Sequence, residues 1–168
     1  MSLFPTEIES LVRVLLDTLA ARDLTVATAE SCTGGLIAAA LTEIAGSSKV
    51  VDRGFVTYSN QAKQDMLGVR AETLAAVGAV SRQTAEEMAR GAQSRSGASL
   101  TVAVTGIAGP GGGSAEKPVG LVHLAAASRT RLIHREMRYG DLGRTEIRLA
   151  TLRTALTLLI ELAELPQA

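Results

Sequence analysis

Apolar positions recur along this chain at two periods, and their alternation predicts a layered α/β fold. Ile8, Leu11, Val12, Leu15, Leu16 and Leu19 fall at helical spacing, so residues 5–21 read as a first helix with Pro5 near its start. Residues 24–28 form a short apolar run of strand length. Residues 35–45 read as an apolar helix that Gly46 ends. Residues 49–58 give a second strand, and Gly54 inside it marks a bulge or a close backbone approach. Short helices follow over 59–67, stopped by Gly68, and over 70–77. A longer helix covers 81–96, with Ser81 suited to its N-cap. Residues 98–104 are a third strand, rich in β-branched side chains. Two runs, 119–127 and 130–139, meet at Ser128-Arg129 in the pattern of a β-hairpin. Residues 143–165 form a long amphipathic last helix. This order predicts one domain over 1–168. It is a three-layer α/β/α sandwich with a mostly parallel mixed sheet and a C-terminal β-hairpin.

Composition narrows the function. Lys plus Arg (17) balance Asp plus Glu (17), so no basic excess points to nucleic acid. Tryptophan is absent, and two Tyr and two Phe leave few platforms for stacking bases. A single cysteine, Cys32, excludes an internal disulfide and a multi-cysteine zinc site. No apolar run reaches the ~18 residues of a membrane span, and the N-terminus lacks the pattern of a signal peptide. The expectation is a soluble cytoplasmic protein with no metal, no cofactor, no nucleic-acid partner and no membrane partner. The long, apolar first and last helices predict a homodimer or higher oligomer.

Two strand ends carry the candidate chemistry. The segment from Thr105 to Ser114 holds five glycines in ten residues and follows the third strand. Such a loop presents bare N–H groups to an anion, or is only a flexible connector. It matches neither a Walker A loop nor a GxGxxG fingerprint. The turn Glu30-Ser31-Cys32-Thr33-Gly34-Gly35 joins the first strand to its helix. Its hydroxyls and N–H groups either bind a ligand at the helix N-terminus or merely cap the helix. Cys32 reads as a buried, inert thiol rather than a nucleophile.

A serine nucleophile needs a base. His123 and His134 are the only histidines, and both fall inside the hairpin strands, where packing or surface roles are commoner. A lysine whose pKa is lowered by burial then becomes the candidate base. Lys63 fits, one helical turn beyond Ser59, although a solvated helix lysine is the commoner case. Arg144 and Arg148 lie one turn apart at the start of the last helix, where a cation opposes the helix dipole. One of them is therefore a candidate ligand for phosphate or carboxylate.

Six segments occur here in one order. They are Thr28 to Gly35, Ala45 to Ser48, Gly54 to Asn60, Gly78 to Ser81, Thr105 to Pro110 and Lys117 to Gly120. Together they resemble the CinA C-terminal family, the nicotinamide-nucleotide amidases, over nearly the whole chain. The molybdopterin-binding-like domain of the full-length proteins is not present, so the expectation is the stand-alone form. The resemblance implies hydrolysis of the carboxamide of nicotinamide mononucleotide, in pyridine nucleotide salvage, by a metal-independent serine mechanism. It implies Ser48, Tyr58 and Lys63 as the catalytic group. It implies that Ser31, Thr33, Gly34, Thr105, Gly106, Gly109 and Arg144 bind the nucleotide. Family members often carry Gly-Asp-Arg before the last helix. Here the run is Gly140-Asp141-Leu142-Gly143-Arg144, so Arg148 competes with Arg144 for the arginine role. The rival reading is a non-catalytic nucleotide-binding or interaction module linked to competence or DNA damage.

Overall fold

The computed structural model describes residues 2–167. A mixed five-stranded sheet lies between two layers of helices. In chain order the elements are α1 (Thr6–Ala21), β1 (Val26–Glu30), α2 (Leu36–Thr42), a 3₁₀ turn (Ser47–Lys49), β2 (Val51–Val56), α3 (Asn60–Leu67), α4 (Ala71–Val77) and α5 (Arg82–Ser96), followed by β3 (Leu100–Gly106), β4 (Leu121–Ser128), β5 (Leu132–Arg138) and α6 (Arg144–Glu164). The strand order is β2-β1-β3-β4-β5. β1 pairs in parallel with β2 and β3, and β4 runs antiparallel to both β3 and β5. Four of the five strands therefore share one direction, and only β4 opposes them.

The side-chain alternation of β3 explains the two layers. Leu100, Val102 and Val104 face α1, α2 and α6, where they join the larger core. Ala103 faces the opposite way, onto α5. Thr101 shares that face, and its hydroxyl donates to Ala89 O. Ala29, Ala125 and Ala127 complete this second core, so α5 rides on a floor of small residues. The helix comes very close to its neighbour α3. A Cβ placed on Gly91 would lie 1.9 Å from Leu67 O, so only glycine fits there. Each fully buried Leu or Val contributes roughly 1.5–3 kcal/mol, and the larger core holds most of them.

This topology places the site. The chain leaves β1 through α2 on one face of the sheet and leaves β2 through α3, α4 and α5 on the other. Such a divergence opens a crevice beyond the carboxyl ends of neighbouring strands. Ser31, Thr57 and Ile107 immediately follow β1, β2 and β3 there. β1 and β3 each run two residues past their predicted ends, β1 taking in the buried Glu30 and β3 Thr105 and Gly106.

Candidate active site

A cavity of about 240 Å³ opens at those carboxyl ends, with Ser31, Tyr58, Asn60, Lys63, Thr105 and Arg144 among its lining residues. Its chemical centre is a serine–lysine pair. Lys63 Nζ lies 2.9 Å from Ser31 Oγ, and both side chains are buried. Lys63 is only 1% exposed. α3 delivers it: Ser59 caps that helix by accepting from Ala62 N, and Lys63 lies one turn further on. Ser59 thus serves the helix end.

Two further contacts orient the amine. Nζ also donates to Thr57 O at 2.9 Å and to Tyr58 O at 3.4 Å. In the neutral amine, two N–H bonds point at these carbonyls and the lone pair is left facing Ser31 Oγ. Burial lowers the Lys63 pKa below its usual value, in the direction a general base requires. A Cys32 thiolate would oppose that shift, but burial raises the Cys32 thiol to about 11, so it stays protonated near neutral pH. Cys32 is buried, as its position predicts.

Glu30 is the residue that sequence reasoning passed over. Its carboxylate is fully buried. It accepts from the backbone N–H of Gly35, Ile37 and Ala38 at 3.1, 3.0 and 2.8 Å, and from Thr28 Oγ1 at 3.3 Å. The first turn of α2 is therefore already saturated by an internal anion. This corrects the expectation that the N–H groups of that helix receive a ligand. The signal was present: an acid at a strand end, six residues before the first residue of a helix, is suited to the dipole there. The N–H groups of Cys32 and Thr33 have no hydrogen-bond partner among the described residues. Gly34 N instead closes the turn onto Ser31 O.

The other expected residues divide clearly. Ser48 does not join Lys63. It is exposed, in the 3₁₀ turn that precedes β2, while Ser31 follows β1. The two strands are parallel, so Ser48 lies at the opposite edge of the sheet. Six strand residues at ~3.3 Å each put roughly 20 Å between the two ends. The pairing of Ser48 with Lys63 is therefore replaced by Ser31 with Lys63. Tyr58 stands at the mouth, 62% exposed, and its hydroxyl accepts from Arg144 Nη2 at 3.1 Å. Arg144 Nη1 also donates to Gly109 O at 2.9 Å, which ties the Gly-rich loop to the rim. Thr105 lines the cavity and donates its hydroxyl to Ala79 O, holding the 78–81 segment over it. Gly106 lines it too, and a Cβ there would meet Val122 Cγ2 at 2.6 Å. Thr33 and Gly34 lie behind the turn, outside the cavity lining, and Thr33 O accepts from Arg148 Nη2 at 2.8 Å. Arg144 is therefore the arginine at the cavity, and Arg148 is not. The loop from Pro110 to Glu116 is exposed.

A larger cleft, about 980 Å³, lies at the other end of the sheet beside Arg70, Arg90, Arg95, Arg129 and Glu87. It holds no nucleophile–base pair, so volume and chemistry point to different places and the chemistry decides. His123 and His134 stack within the β4–β5 hairpin, away from the lining of the smaller cavity.

Comparison with known proteins follows the same outline. The model of the CinA C-terminal domain matches residues 8–163. A putative competence-damage inducible protein of Acetivibrio thermocellus is 50% identical over 154 residues, which is 92% of this chain and 37% of that protein. A CinA-like protein of Synechococcus is 50% identical over 157 residues, 93% of this chain and 38% of that protein. The chain thus spans well under half the length of the curated relatives it matches. Among solved structures, the competence/damage inducible protein CihA of Agrobacterium tumefaciens is 69% identical with a TM-score of 0.96, covering 98% of this chain and 100% of that one. A CinA superfamily protein of Klebsiella pneumoniae is 37% identical with a TM-score of 0.88, over 93% and 97% of the two chains.

Proposed function

The chain belongs to the CinA C-terminal domain family, and we propose on that premise that it hydrolyses the carboxamide of nicotinamide mononucleotide to nicotinate mononucleotide and ammonia. The observation that carries the reading is the buried Lys63 Nζ at 2.9 Å from Ser31 Oγ, with two carbonyls fixing its remaining hydrogens. An alkyl alcohol is a poor nucleophile until a positioned base takes its proton. No residue elsewhere in the cavity is placed to do this for Ser31.

The steps follow from the geometry. Lys63 takes the Ser31 proton as Oγ attacks the carboxamide carbon. The oxyanion develops beside the N–H group of Cys32, which lines the cavity, and one such donor contributes roughly 3 kcal/mol in measured cases. Tyr58 accepts a hydrogen bond from Arg144, so its own proton is free for the departing nitrogen. Ammonia leaves and Ser31 holds the acyl group. The Lys63 ammonium then returns its proton to the Tyr58 phenolate, which leaves the amine neutral again. Neutral Lys63 takes a proton from water as the water oxygen attacks the ester carbon, and it gives that proton to Ser31 Oγ as the ester C–O bond breaks and the carboxylate is released.

The cavity is at or below the small end of ligand pockets, which run ~300–1,000 Å³. Only the carboxamide-bearing ring enters. The ribose phosphate extends past Arg144 along the exposed Gly-rich loop, where the guanidinium and loop N–H groups meet its charge. The assay is ammonia release from nicotinamide mononucleotide by wild type, Ser31→Ala and Ser48→Ala. Release by wild type and Ser48→Ala, with Ser31→Ala silent, supports the proposal. No release by wild type, with tight binding of the nucleotide retained, would favour the binding-module reading instead.

A further inference from the structure

We propose that Arg148 is a positioning residue for the nucleophile, acting through the peptide between Thr33 and Gly34. The inference rests on the amidase reading above. Arg148 lies one helical turn beyond Arg144 on α6, yet the two guanidinium groups hold different things. Arg144 reaches Tyr58 and Gly109 at the cavity mouth. Arg148 passes behind the turn, and its Nη2 donates to Thr33 O at 2.8 Å.

That carbonyl belongs to the peptide whose N–H, on Gly34, donates to Ser31 O at 3.0 Å. One peptide is therefore fastened at both ends. One end is the nucleophile's own carbonyl, and the other is shared by Arg148 and the backbone N–H of Leu36, which donates to Thr33 O at 3.1 Å. Gly34 and Gly35 both take positive φ, +58° and +97°, which glycine adopts without strain but also leaves easily. The backbone bonds of Gly34 N and Leu36 N hold such a turn locally, and the Arg148 contact is the side-chain hold added from outside it. The arginine packs directly on it: a Cβ at Gly34 would lie 3.8 Å from Arg148 Nη2. If the peptide rotates, the link to Ser31 O breaks, and the Cys32 N–H at the cavity turns with it.

Charge supplies the second half of the argument. Arg148 Nε is buried without a hydrogen-bond partner among the described residues, so the bond to Thr33 O is the guanidinium's one hold on the protein. A neutral donor would satisfy the same carbonyl with less desolvation. A cation makes sense where it opposes another charge. The Glu30 carboxylate is bound to Gly35 N within the same turn. Negative charge developing at Ser31 lies near the Glu30 carboxylate, and Arg148 is a second cation beside the turn in addition to the Lys63 ammonium at 2.9 Å. Burial dominates the neighbouring Cys32 thiol and its own backbone N–H comes next, pulling it down; smaller effects follow, with Glu30 pushing it up and Lys63 and Arg148 pulling it down.

The test compares Arg148→Met, which keeps the stem without the donor or charge, with Arg148→Lys, which keeps the charge. Three quantities are read: kcat and KM for nicotinamide mononucleotide, the rate at which a fluorophosphonate labels Ser31, and Tm. For Arg148→Met, kcat falls by about a hundredfold while KM moves by less than about threefold, the signature of a group felt in the transition state. Labelling of Ser31 slows in parallel. Arg148→Lys recovers part of both, and added methylguanidinium recovers part of the activity of Arg148→Ala. A raised KM with kcat unchanged would make Arg148 a substrate ligand and overturn the inference, as would wild-type kinetics. Should Arg148→Met fail to fold, Arg148→Lys decides alone: reduced kcat at constant KM supports the role, and wild-type kcat overturns it. If wild type releases no ammonia yet is labelled at Ser31, the substrate reading fails. The labelling rates of the variants then still decide the role of Arg148.

Discussion

Lys63 Nζ meets Ser31 Oγ at 2.9 Å across 32 positions of sequence, and both buried side chains line the small cavity. Two separate devices converge on that contact. β1 ends at Glu30 and sets Ser31 down at the sheet edge, while α3 begins just past β2 and turns Lys63 back toward it. The pair acts as a unit, and such residues are non-additive. Ser31→Ala and Lys63→Ala are each expected to lower kcat by at least about 10³-fold, and the double variant to be no slower than either. Ser48→Ala is expected to match wild type. Steady-state ammonia release checks all four, and an active Ser31→Ala would return the nucleophile to another residue.

The buried amine also fixes the pH dependence. Only neutral Lys63 accepts the Ser31 proton, and burial holds its pKa below the usual lysine value of 10.5. The kcat/KM profile is expected to rise with unit slope and level off at a pH below 10.5. The stability sign follows. Between the folded pKa and 10.5 the unfolded chain binds more protons, so stability increases with pH across that window. Below it the full cost of charging the buried amine is present. Lys63→Met removes that cost, so its Tm near neutral pH is expected to exceed wild type while turnover is lost. Lys63→Arg is expected to be inactive at every pH, because a guanidinium does not deprotonate.

Much of this was legible in the chain. The 3.6-residue spacing of Ile8, Val12, Leu15 and Leu19 marks α1, and the β-branched run ending at Val104 marks β3. The strand limits were less so, because a strand can end on a buried charge when helix N–H groups stand ready to receive it, as they do for Glu30. The choice between Ser31 and Ser48 turned on strand direction. A residue that follows a parallel strand lies at the ligand edge, and one that precedes it lies at the far edge. Ser31 follows β1 and Ser48 precedes β2. The resemblance pointed to Ser48, whereas the general rule for open sheets favoured Ser31. The contact of Lys63 with Ser31 is tertiary, and no spacing along the chain encodes it.

Cys32 is next to Ser31 and lines the same cavity, yet it is expected to be dispensable. Its thiol is 6% exposed and pushed up to about 11, so at neutral pH almost none of it is thiolate. Cys32→Ala is expected to keep kcat within a few-fold of wild type. Iodoacetamide at neutral pH is expected to leave the folded protein largely active. Rapid inactivation by the reagent would show a thiol far more reactive than its burial permits.

The histidine pair is expected to govern acid sensitivity. His123 Nδ1 and His134 Nε2 are 3.0 Å apart, so one ring donates and the other accepts, an arrangement that two protonated rings cannot keep. Burial is the first cause lowering both pKa values, and mutual repulsion lowers His123 further, while Glu136 partly offsets this for each. The packed surroundings add Arg82, which lowers His134, and Glu86, which raises it, together with Lys117 and Arg138, which lower His123. Folded pKa values below 6.5 mean that the unfolded chain binds more protons in acid. The stabilisation is therefore present above pH 6.5 and is lost as pH falls from there through the folded values. Thermal melts of wild type and His134→Gln between pH 7.5 and 5 check this, and the variant is expected to lose less Tm on acidification.

Glu30 offers the sharpest separation of stability from chemistry. It touches no cavity-lining group through its carboxylate, yet that carboxylate holds three N–H groups at the head of α2. Glu30→Gln keeps the shape and replaces one accepting oxygen with an NH₂. Oε2 serves Gly35 and Ile37 while Oε1 serves Ala38 and Thr28, so either orientation of the amide turns a donor toward backbone donors. Hydrogen bonds to a charged acceptor contribute ~1.5–3 kcal/mol each, and a buried donor left unpaired adds a penalty. Glu30→Gln is therefore expected to destabilise the fold by about 2–4 kcal/mol in denaturant titration. Glu30→Asp, one methylene short of the helix, is expected to fall between it and wild type. Because the same carboxylate faces the nucleophile turn, the folded fraction of Glu30→Gln is expected to retain measurable turnover, with kcat reduced less than in Ser31→Ala. Wild-type stability for Glu30→Gln would mean that α2 is held by its apolar contacts with Ile37 and Leu41 rather than by this buried charge.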